Sequence, residues 1–296
     1  PRGVIAVLPG KGSIIGDPLV KHPLVRRVAF TGGTSTGKHL ARLAAEKVMP
    51  VSLELGGKSP TIVFEDADLD HAVNGVLYGI FSSSGESCIA GSRLFVHRRL
   101  YDAFLQRLAE AAAKLRVGDP EDERTQMGPL IHDQHRQTVE RYVQLGRDEG
   151  GTVRVGGERP RGGLYDRGTY YLPTILEGLT NRAKVVQEEI FGPVLVAMPF
   201  DDEDALVAEA NDSVYGLAAG LWTRDYKRAW RMARRLDTGT VWINTYKQFS
   251  IATPFGGTKE SGLGREKGRL GILEYTMQKS LYWGLNERPI PWANQE

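Results

Sequence analysis

Short apolar runs alternate with segments whose apolar residues recur at helical spacing along the 296-residue chain, and this leaves few folds open. Strand-length runs separated by amphipathic helices build βα units, and such units assemble a mostly parallel sheet covered by helices. Residues 26–31 (Arg-Arg-Val-Ala-Phe-Thr) read as a strand. Gly32 to Gly37 then turn the chain into a helix reaching Lys47, with Leu40, Leu43, Ala44 and Val48 on one face. Val51–Leu55 reads as the next strand, closed by Gly56-Gly57. Beyond residue 60 a second alternation begins, with helices expected over Leu69–Tyr78, Leu100–Leu115, Asp202–Asn211 and Asp225–Leu236. Its strands are expected over Val194–Pro199, Leu217–Trp222 and Thr240–Asn244. Two Gly-, Pro- and charge-rich stretches, Gly118–Gly128 and Gly156–Gly168, read as surface loops. The change of pattern at Gly56-Gly57 marks the expected domain boundary.

Composition narrows the class of function. With 41% hydrophobic and 25% charged residues the chain can bury a sizeable core. Lys and Arg total 38 against 36 acidic residues, and no basic run accompanies the net charge of +2. Nothing here is an electrostatic footprint for nucleic acid. No stretch approaches the roughly 18 consecutive apolar residues of a membrane span. A single cysteine cannot form an intramolecular disulfide, so a cytoplasmic chain is the expectation. The opening Pro1-Arg2-Gly3-Val4-Ile5 carries neither Met nor a signal-peptide pattern and reads as a cut or processed end.

Three windows carry candidate chemistry. Phe30-Thr31-Gly32-Gly33-Thr34-Ser35-Thr36-Gly37-Lys38 lies where a strand turns into a helix, and the free N–H groups there suit a phosphate. It fits neither familiar nucleotide pattern. His39 stands where a phosphate-splitting loop needs Ser or Thr, and the G-x-G-x-x-G spacing is absent. A tight turn with a helix cap is the competing reading. The second window surrounds Cys88 with small residues, Ser82-Ser83-Ser84-Gly85-Glu86-Ser87 before it and Ile89-Ala90-Gly91-Ser92 after it. Small neighbours let a substrate approach sulfur, although a lone cysteine also serves as a small core hydrophobe. Arg93 or a helix start is expected to lower the thiol pKa from about 8.5. The third window holds Glu54 between Leu53 and Leu55. Burying a carboxylate there raises its pKa, as a general base working near neutrality requires. Pairing with Lys58 is the alternative.

Together these windows resemble the aldehyde dehydrogenase superfamily. Residues 30–37 look like its nicotinamide-side loop, and Leu53-Glu54-Leu55-Gly56-Gly57-Lys58-Ser59-Pro60 is similar to the signature around its catalytic glutamate. Gly85-Glu86-Ser87-Cys88 with Ser92-Arg93 resembles the cysteine signature, and Glu188-Glu189-Ile190-Phe191-Gly192-Pro193 the segment that holds the nicotinamide ribose. Asn211, Tyr215-Gly216-Leu217, Val241-Trp242-Ile243-Asn244, Pro254-Phe255-Gly256-Gly257 and Ser261-Gly262-Leu263-Gly264-Arg265-Glu266 follow in the family's order. The similarity runs to about residue 285 and covers the C-terminal three-fifths of the family's chain.

The resemblance implies an α/β fold with part of a Rossmann-like cofactor domain and a catalytic domain on a mostly parallel sheet. The expected divisions are 1–56 for the cofactor part, 57–257 catalytic, 258–275 returning to the cofactor part, and 276–296 an oligomerisation strand and tail. It further implies Cys88 as nucleophile, Glu54 as the base that activates water, and Glu266 as an aid to proton relay. Thr31, Gly32, Gly33, Gly37, Leu55, Glu189 and Phe191 would contact NAD or NADP, with NAD preferred. Ser87, Ile89, Phe249, Ile251 and Phe255 would line the aldehyde pocket, and the aromatic residues suggest an apolar or aromatic aldehyde. No metal is implied. Coenzyme A-acylating relatives lack the base, so release of a free acid is expected. A homodimer or homotetramer is the expected assembly. Glu86 replaces the family's usual Gln and is expected to raise the thiol pKa. The family's upstream segment, with an oxyanion-hole asparagine and a hairpin that pairs near Ser280–Trp283, is absent from this sequence. One oxyanion donor is worth about 10²–10³ in rate, so the chain alone is expected to be inactive. A non-catalytic oligomeric module that keeps the fold is the alternative, and a cofactor-free thiol hydrolase or acyltransferase a third reading.

Overall fold

The computed structural model describes residues 1–285, 290 and 292. Its body is a seven-stranded sheet. From one edge to the other run β10 (Thr240–Ile243), β9 (Ala218–Trp222), β3 (Pro60–Val63), β4 (Arg93–His97), β7 (Val194–Phe200), β6 (Thr174–Glu177) and β5 (Thr152–Val155). All neighbours are parallel except β5 and β6. Successive side chains of a strand point to opposite faces, and here both faces are covered. Leu94, Val96, Leu195 and Ala197 pack with α3 (Leu69–Phe81) and α4 (Tyr101–Ala113). Phe95 and Val196, between them in sequence, pack with α5 (Asp133–Asp148), α7 (Glu203–Asn211) and α8 (Tyr226–Arg235) on the other side. Asp68, Asp202 and Asp225 cap α3, α7 and α8 by accepting first-turn backbone N–H groups. Such caps contribute about 1 kcal/mol each.

A second, three-stranded sheet has the order β1 (Val28–Thr31), β2 (Val51–Glu54), β12 (Gly262–Leu263). The first two strands are parallel, joined by the crossover helix α2 (Thr34–Ala45), and β12 returns antiparallel with Gly262 opposite Glu54. Leu40, Leu43 and Ala44 of α2 bury against Met49 and against Val20 of α1 (Gly12–Lys21). The remaining elements are short: α6 (Lys184–Gln187), the pair β8 (Tyr215–Gly216) and β11 (Thr258–Lys259), and α9 (Gly268–Leu273).

Several elements lie outside the expected set. In α5 the buried aliphatics Val139 and Val143 stand among charged and amide residues, so its periodicity is faint. Helix α1 carries Pro18 within it, which hides it from a pattern reading. The expected oligomerisation strand falls partly outside the described residues. Residues 276–285 form no strand, and Leu281, Tyr282 and Trp283 are exposed. A strand exists only by hydrogen bonding to a partner, and none lies alongside among the described residues. No helix of the described residues is long and apolar enough to cross a membrane. Among them no cluster of three or more His, Cys, Asp or Glu could hold a metal ion.

Candidate active site

The two sheets meet at Gly56-Gly57. Strand β2 ends at Glu54 in the small sheet, and a few residues later the chain enters β3 of the large one. At this crossing the chain presses against the Cys88 loop: a Cβ on Gly57 would stand 2.2 Å from the Cys88 carbonyl oxygen. Only glycine allows that approach. The loop itself begins at the end of α3, where Ser83 and Ser84 both take left-handed φ of 55°. Such backbone persists only where its surroundings hold it. Ser84 Oγ donates to the Gly128 carbonyl at 3.0 Å, and Tyr246 Oη donates to the Ile89 carbonyl at 2.9 Å.

A cleft of about 560 Å³ opens beside the sulfur, lined by Thr31, Gly32, Gly33, Glu54, Leu55, Gly56, Glu86, Ser87, Cys88, Glu189 and Phe191. Thirty-four residues of sequence separate Cys88 from Glu54 (88 − 54), yet both face this one space. Glu54 is only 5% exposed, and its Oε2 has no hydrogen-bond partner. Burial pushes its pKa up to about 7, Glu266 adds to the rise, and Arg265 opposes it. Lys58 is not its counter-ion. That side chain is fully buried and donates to the carbonyls of Val185 (2.9 Å) and Glu188 (2.6 Å), holding the segment that carries Glu189. Burial, then the Arg93 charge, brings Lys58 down to about 7. Glu189 Oε1 accepts the Gly57 N–H at 3.0 Å, and burial raises its pKa.

The thiol differs from expectation. Burial, then Glu189, then Glu54 push its pKa up, against the backbone N–H groups of Cys88 and Ile89. Arg93 does not lower it. Its guanidinium is buried and committed to the carbonyls of Lys58, Glu209 and Ala210 and to Asn181 Oδ1, at 2.7–3.1 Å. Glu86 is not among the acids that raise it either. Its carboxylate accepts the Ile131 N–H at 3.0 Å and lies 3.7 Å from His135, which in turn bonds the Phe191 carbonyl at 2.6 Å.

Other expected positions divide. Thr31, Gly32 and Gly33 border the cleft just before α2, whereas Gly37 lies inside that helix, where a Cβ would stand 2.4 Å from Leu55. Gly37 therefore brings α2 against Leu55 and does not line the space. Glu266 sits in a backbone bridge with Phe255, at 2.7 and 2.8 Å, close enough to raise the Glu54 pKa. Ile89 packs in the core cluster shared by α3 and Tyr246. Phe249 stacks edge-on with Phe255 and Trp242, while Ile251 is 88% exposed. Sequence reasoning passed over Tyr246, which braces the cysteine loop from 157 residues away, and His135, which contacts Phe191. Neither lies in a window that singles it out.

A free sulfur, an unpartnered buried carboxylate poised near neutrality, and an open glycine turn at the start of a helix thus share one cleft. That set can hold an electrophilic carbon at sulfur and take a proton from water beside it. The glycine turn and Glu189 fit the nicotinamide end of a dinucleotide, with backbone N–H groups on one side and a carboxylate for hydroxyls on the other.

Comparison with known proteins agrees with this reading of the fold. The aldehyde dehydrogenase family model matches residues 1–281. The chain is 42% identical to betaine aldehyde dehydrogenase of Bacillus subtilis over 294 residues, 99% of this chain and 60% of that protein. Betaine aldehyde dehydrogenase of Brucella melitensis is likewise 42% identical over 292 residues. Among solved structures, the NAD+ complex of aldehyde dehydrogenase from Bacillus cereus superposes with TM-score 0.91 at 43% identity, covering 94% of this chain and 56% of that one. Betaine aldehyde dehydrogenase from Staphylococcus aureus with NAD+ gives 0.94 at 40% identity, covering 97% and 57%. The chain spans about 60% of the length of the curated relatives it matches. With a family model matched over nearly its whole length and relatives of this similarity, the chain belongs to the aldehyde dehydrogenase family.

Proposed function

We propose that the protein to which this chain belongs oxidises an aldehyde to the carboxylic acid with NAD(P)+, NAD preferred. Cys88 is the nucleophile and Glu54 the base in this reading. The observation that carries it is the Glu54 carboxylate, buried, without a partner at Oε2, raised to about 7 and facing the same cleft as the free thiol. A carboxylate left this way costs stability, and such a cost is retained where the group has work to do.

The resting thiol is held protonated, so its proton must leave before attack, and Glu54 is the neighbouring acceptor poised near neutrality. The thiolate then adds to the aldehyde carbon, and the carbonyl electron pair moves to oxygen, where the Cys88 N–H can donate. A nicotinamide held by Glu189 and Phe191 would supply the hydride acceptor for that carbon, and the acyl group would then remain on Cys88 as a thioester. Glu54 passes the thiol's proton on to solvent and next takes a proton from water, the hydroxide adds to the acyl carbon, and the C–S bond breaks to release the acid and a thiolate that takes its proton back from Glu54. Glu189 and Phe191 hold the cofactor's nicotinamide end, and Glu266 tunes Glu54 through its charge. The domain division at Gly56-Gly57, with 258–275 returning to the cofactor side, belongs to the same reading, as does a cytoplasmic homo-oligomer. The isolated 296-residue chain is expected to lack turnover.

The test uses the active full-length protein. Glu54→Gln should slow the first NADH as well as block hydrolysis, forming no more than one NADH per site and leaving the acyl mass on Cys88, while Cys88→Ser should give neither. Unimpaired steady turnover in either variant would defeat the assignment. The relatives' names raise betaine aldehyde, a quaternary-ammonium compound, as one substrate to assay.

A further inference from the structure

Trp242, Phe249 and Phe255 form a connected aromatic group, each adjacent pair of ring centroids 5.5 Å apart. Aromatic faces of this kind attract quaternary ammonium groups. Here a cation of the chain itself already stands on them. Lys267 Nζ lies 4.0 Å from the Phe249 centroid and 5.7 Å from that of Phe255. Its position is built in: Lys267 takes a left-handed φ of 59°, and the next residue's N–H bonds the Ile251 carbonyl at 2.8 Å, tying it to the loop that carries Phe249.

A second lysine comes from the same loop. Lys247 also adopts a left-handed φ, of 53°, and is half-buried. Its Nζ donates to Ser82 Oγ at 2.7 Å, where the cysteine loop begins, and stands 5.8 Å over the Tyr78 ring. Its neighbour Tyr246 grips the same loop just past the cysteine, at the Ile89 carbonyl. The ammonium is therefore fastened to the wall of the loop that presents the sulfur. Burial lowers Lys247 to about 8, and Cys88 opposes the fall when its thiol is ionised. Lysine ion pairs among the described residues join Lys38 to Glu260 and Lys259 to Asp237, and neither Lys247 nor Lys267 has one. A partly desolvated ammonium without a counter-ion gains from an arriving anion and repels an arriving cation.

We propose that Lys247 and Lys267 form a cationic rim on the aldehyde side of Cys88, selecting an aldehyde that carries a carboxylate at its far end. This deepens, and rests on, the reading of Cys88 as the atom that attacks the aldehyde. It also replaces the apolar aldehyde suggested by Phe249, Ile251 and Phe255 alone. One aromatic face is taken by Lys267, and Ile251 points to solvent.

The test has two arms. The first needs no catalysis and uses this chain, in which Cys88 is the single cysteine. The thiolate displaces sulfinate from a methanethiosulfonate, forming a mixed disulfide read by intact mass. Labelling rates are compared for an anionic sulfonate reagent and a trimethylammonium reagent of similar size. Their ratio cancels any change in thiolate fraction. The acids lining the cleft beside the sulfur, Glu54, Glu86 and Glu189, would favour the cationic reagent, so an anion preference reports the lysines. Wild type should prefer the anion, and about 0.5 M salt should weaken that preference without any substitution. Lys247→Met and Lys267→Met should each lower the ratio about threefold and the pair about tenfold, while Lys247→Arg keeps it. A ratio unmoved in the double variant, or a cation preference in wild type at low salt, overturns the rim.

The second arm measures kcat/KM in the active full-length protein for straight-chain aldehydes with and without a terminal carboxylate, and for betaine aldehyde. The Lys247→Met substitution should raise KM for the carboxylated aldehyde about tenfold and leave the neutral one within about twofold. An unchanged preference overturns the selectivity while aldehyde oxidation stands. A lysine-dependent labelling bias with no aldehyde oxidised supports the rim and defeats the oxidation reading.

Discussion

Strands β3 and β9 of the large sheet are buried at every position, and β7 at all but Pro199, whereas β1 of the small sheet alternates half-buried with exposed residues. The same contrast holds in the cores. The large sheet carries two extensive clusters, one on each face, while the small one closes over Val20, Leu40, Leu43, Ala44 and Met49. Around the small sheet, Val4, Ile5, Val7, Val48, Ile272 and Tyr275 remain exposed. The site spans this divide. Cys88 stands on the densely packed side, and Glu54 and the glycine turn on the lightly packed one. Local opening free energy follows buried apolar contact, so the sulfur is held firmly while the base and the cofactor turn belong to the softer half.

The largest effect that would sharpen this contrast is expected from Arg93→Ala. Four hydrogen bonds converge there in the large half, and removing the guanidinium strands three carbonyls and the Asn181 amide oxygen. Denaturant titration should show a global loss of about 3–5 kcal/mol. A loss below about 1 kcal/mol would break the claim that this half is the rigid one. Next comes the pH dependence contributed by Glu54. Its folded pKa, raised to about 7, means the native state holds a proton that the unfolded state has released, so stability falls as pH climbs from about 4.5 to 7. The fall should approach about 3 kcal/mol, and Glu54→Gln should abolish it. Lys58, lowered to about 7, acts in the opposite sense, with stability recovering as pH rises from about 7 toward 10.5. A stability profile equally flat in wild type and Glu54→Gln would remove the case for a desolvated base.

In the small half, Leu43→Ala should cost about 2 kcal/mol, and hydrogen exchange should accelerate over residues 28–54 while the large sheet keeps its protection. Uniform acceleration across both sheets would mean that the halves unfold as one. The smallest effect is expected from Ile251→Ser. With the side chain 88% exposed, the melting midpoint should barely move, a change within about 0.5 kcal/mol. A larger loss would show that the loop is part of a core.

How far the sequence reached differs between elements for a physical reason. Helices α3, α4, α7 and α8 and strands β7, β9 and β10 lie close to their expected spans because each repeats an apolar period under a turn or cap signal. Helix α5 escaped because two aliphatics in a polar sequence make too faint a stripe. At the site, Cys88 and Glu54 stood out through unusual local company, a thiol among small residues and an acid beside a glycine turn, while Glu189 came only with the family resemblance. Lys247, Tyr246 and His135 did not, since their roles come from partners far away in the chain. The expected help from Arg93 failed for a related reason. Five residues of sequence separate Arg93 from Cys88, but Arg93 opens a strand and is drawn into the carbonyls of Lys58, Glu209 and Ala210.

Local pattern alone determined the βα alternation, the glycine-framed glutamate and the small-residue setting of the lone thiol, because periodicity, turn chemistry and side-chain size are written in consecutive residues. Only the tertiary structure decided which charges feel one another. It left Glu54 without a partner at Oε2, sent Lys58 and Arg93 into backbone carbonyls, set Lys267 on the aromatic group and fastened Lys247 to the cysteine loop. The physical reason is that desolvation and Coulomb interaction depend on distance through the folded interior, and that distance has no fixed relation to separation along the chain.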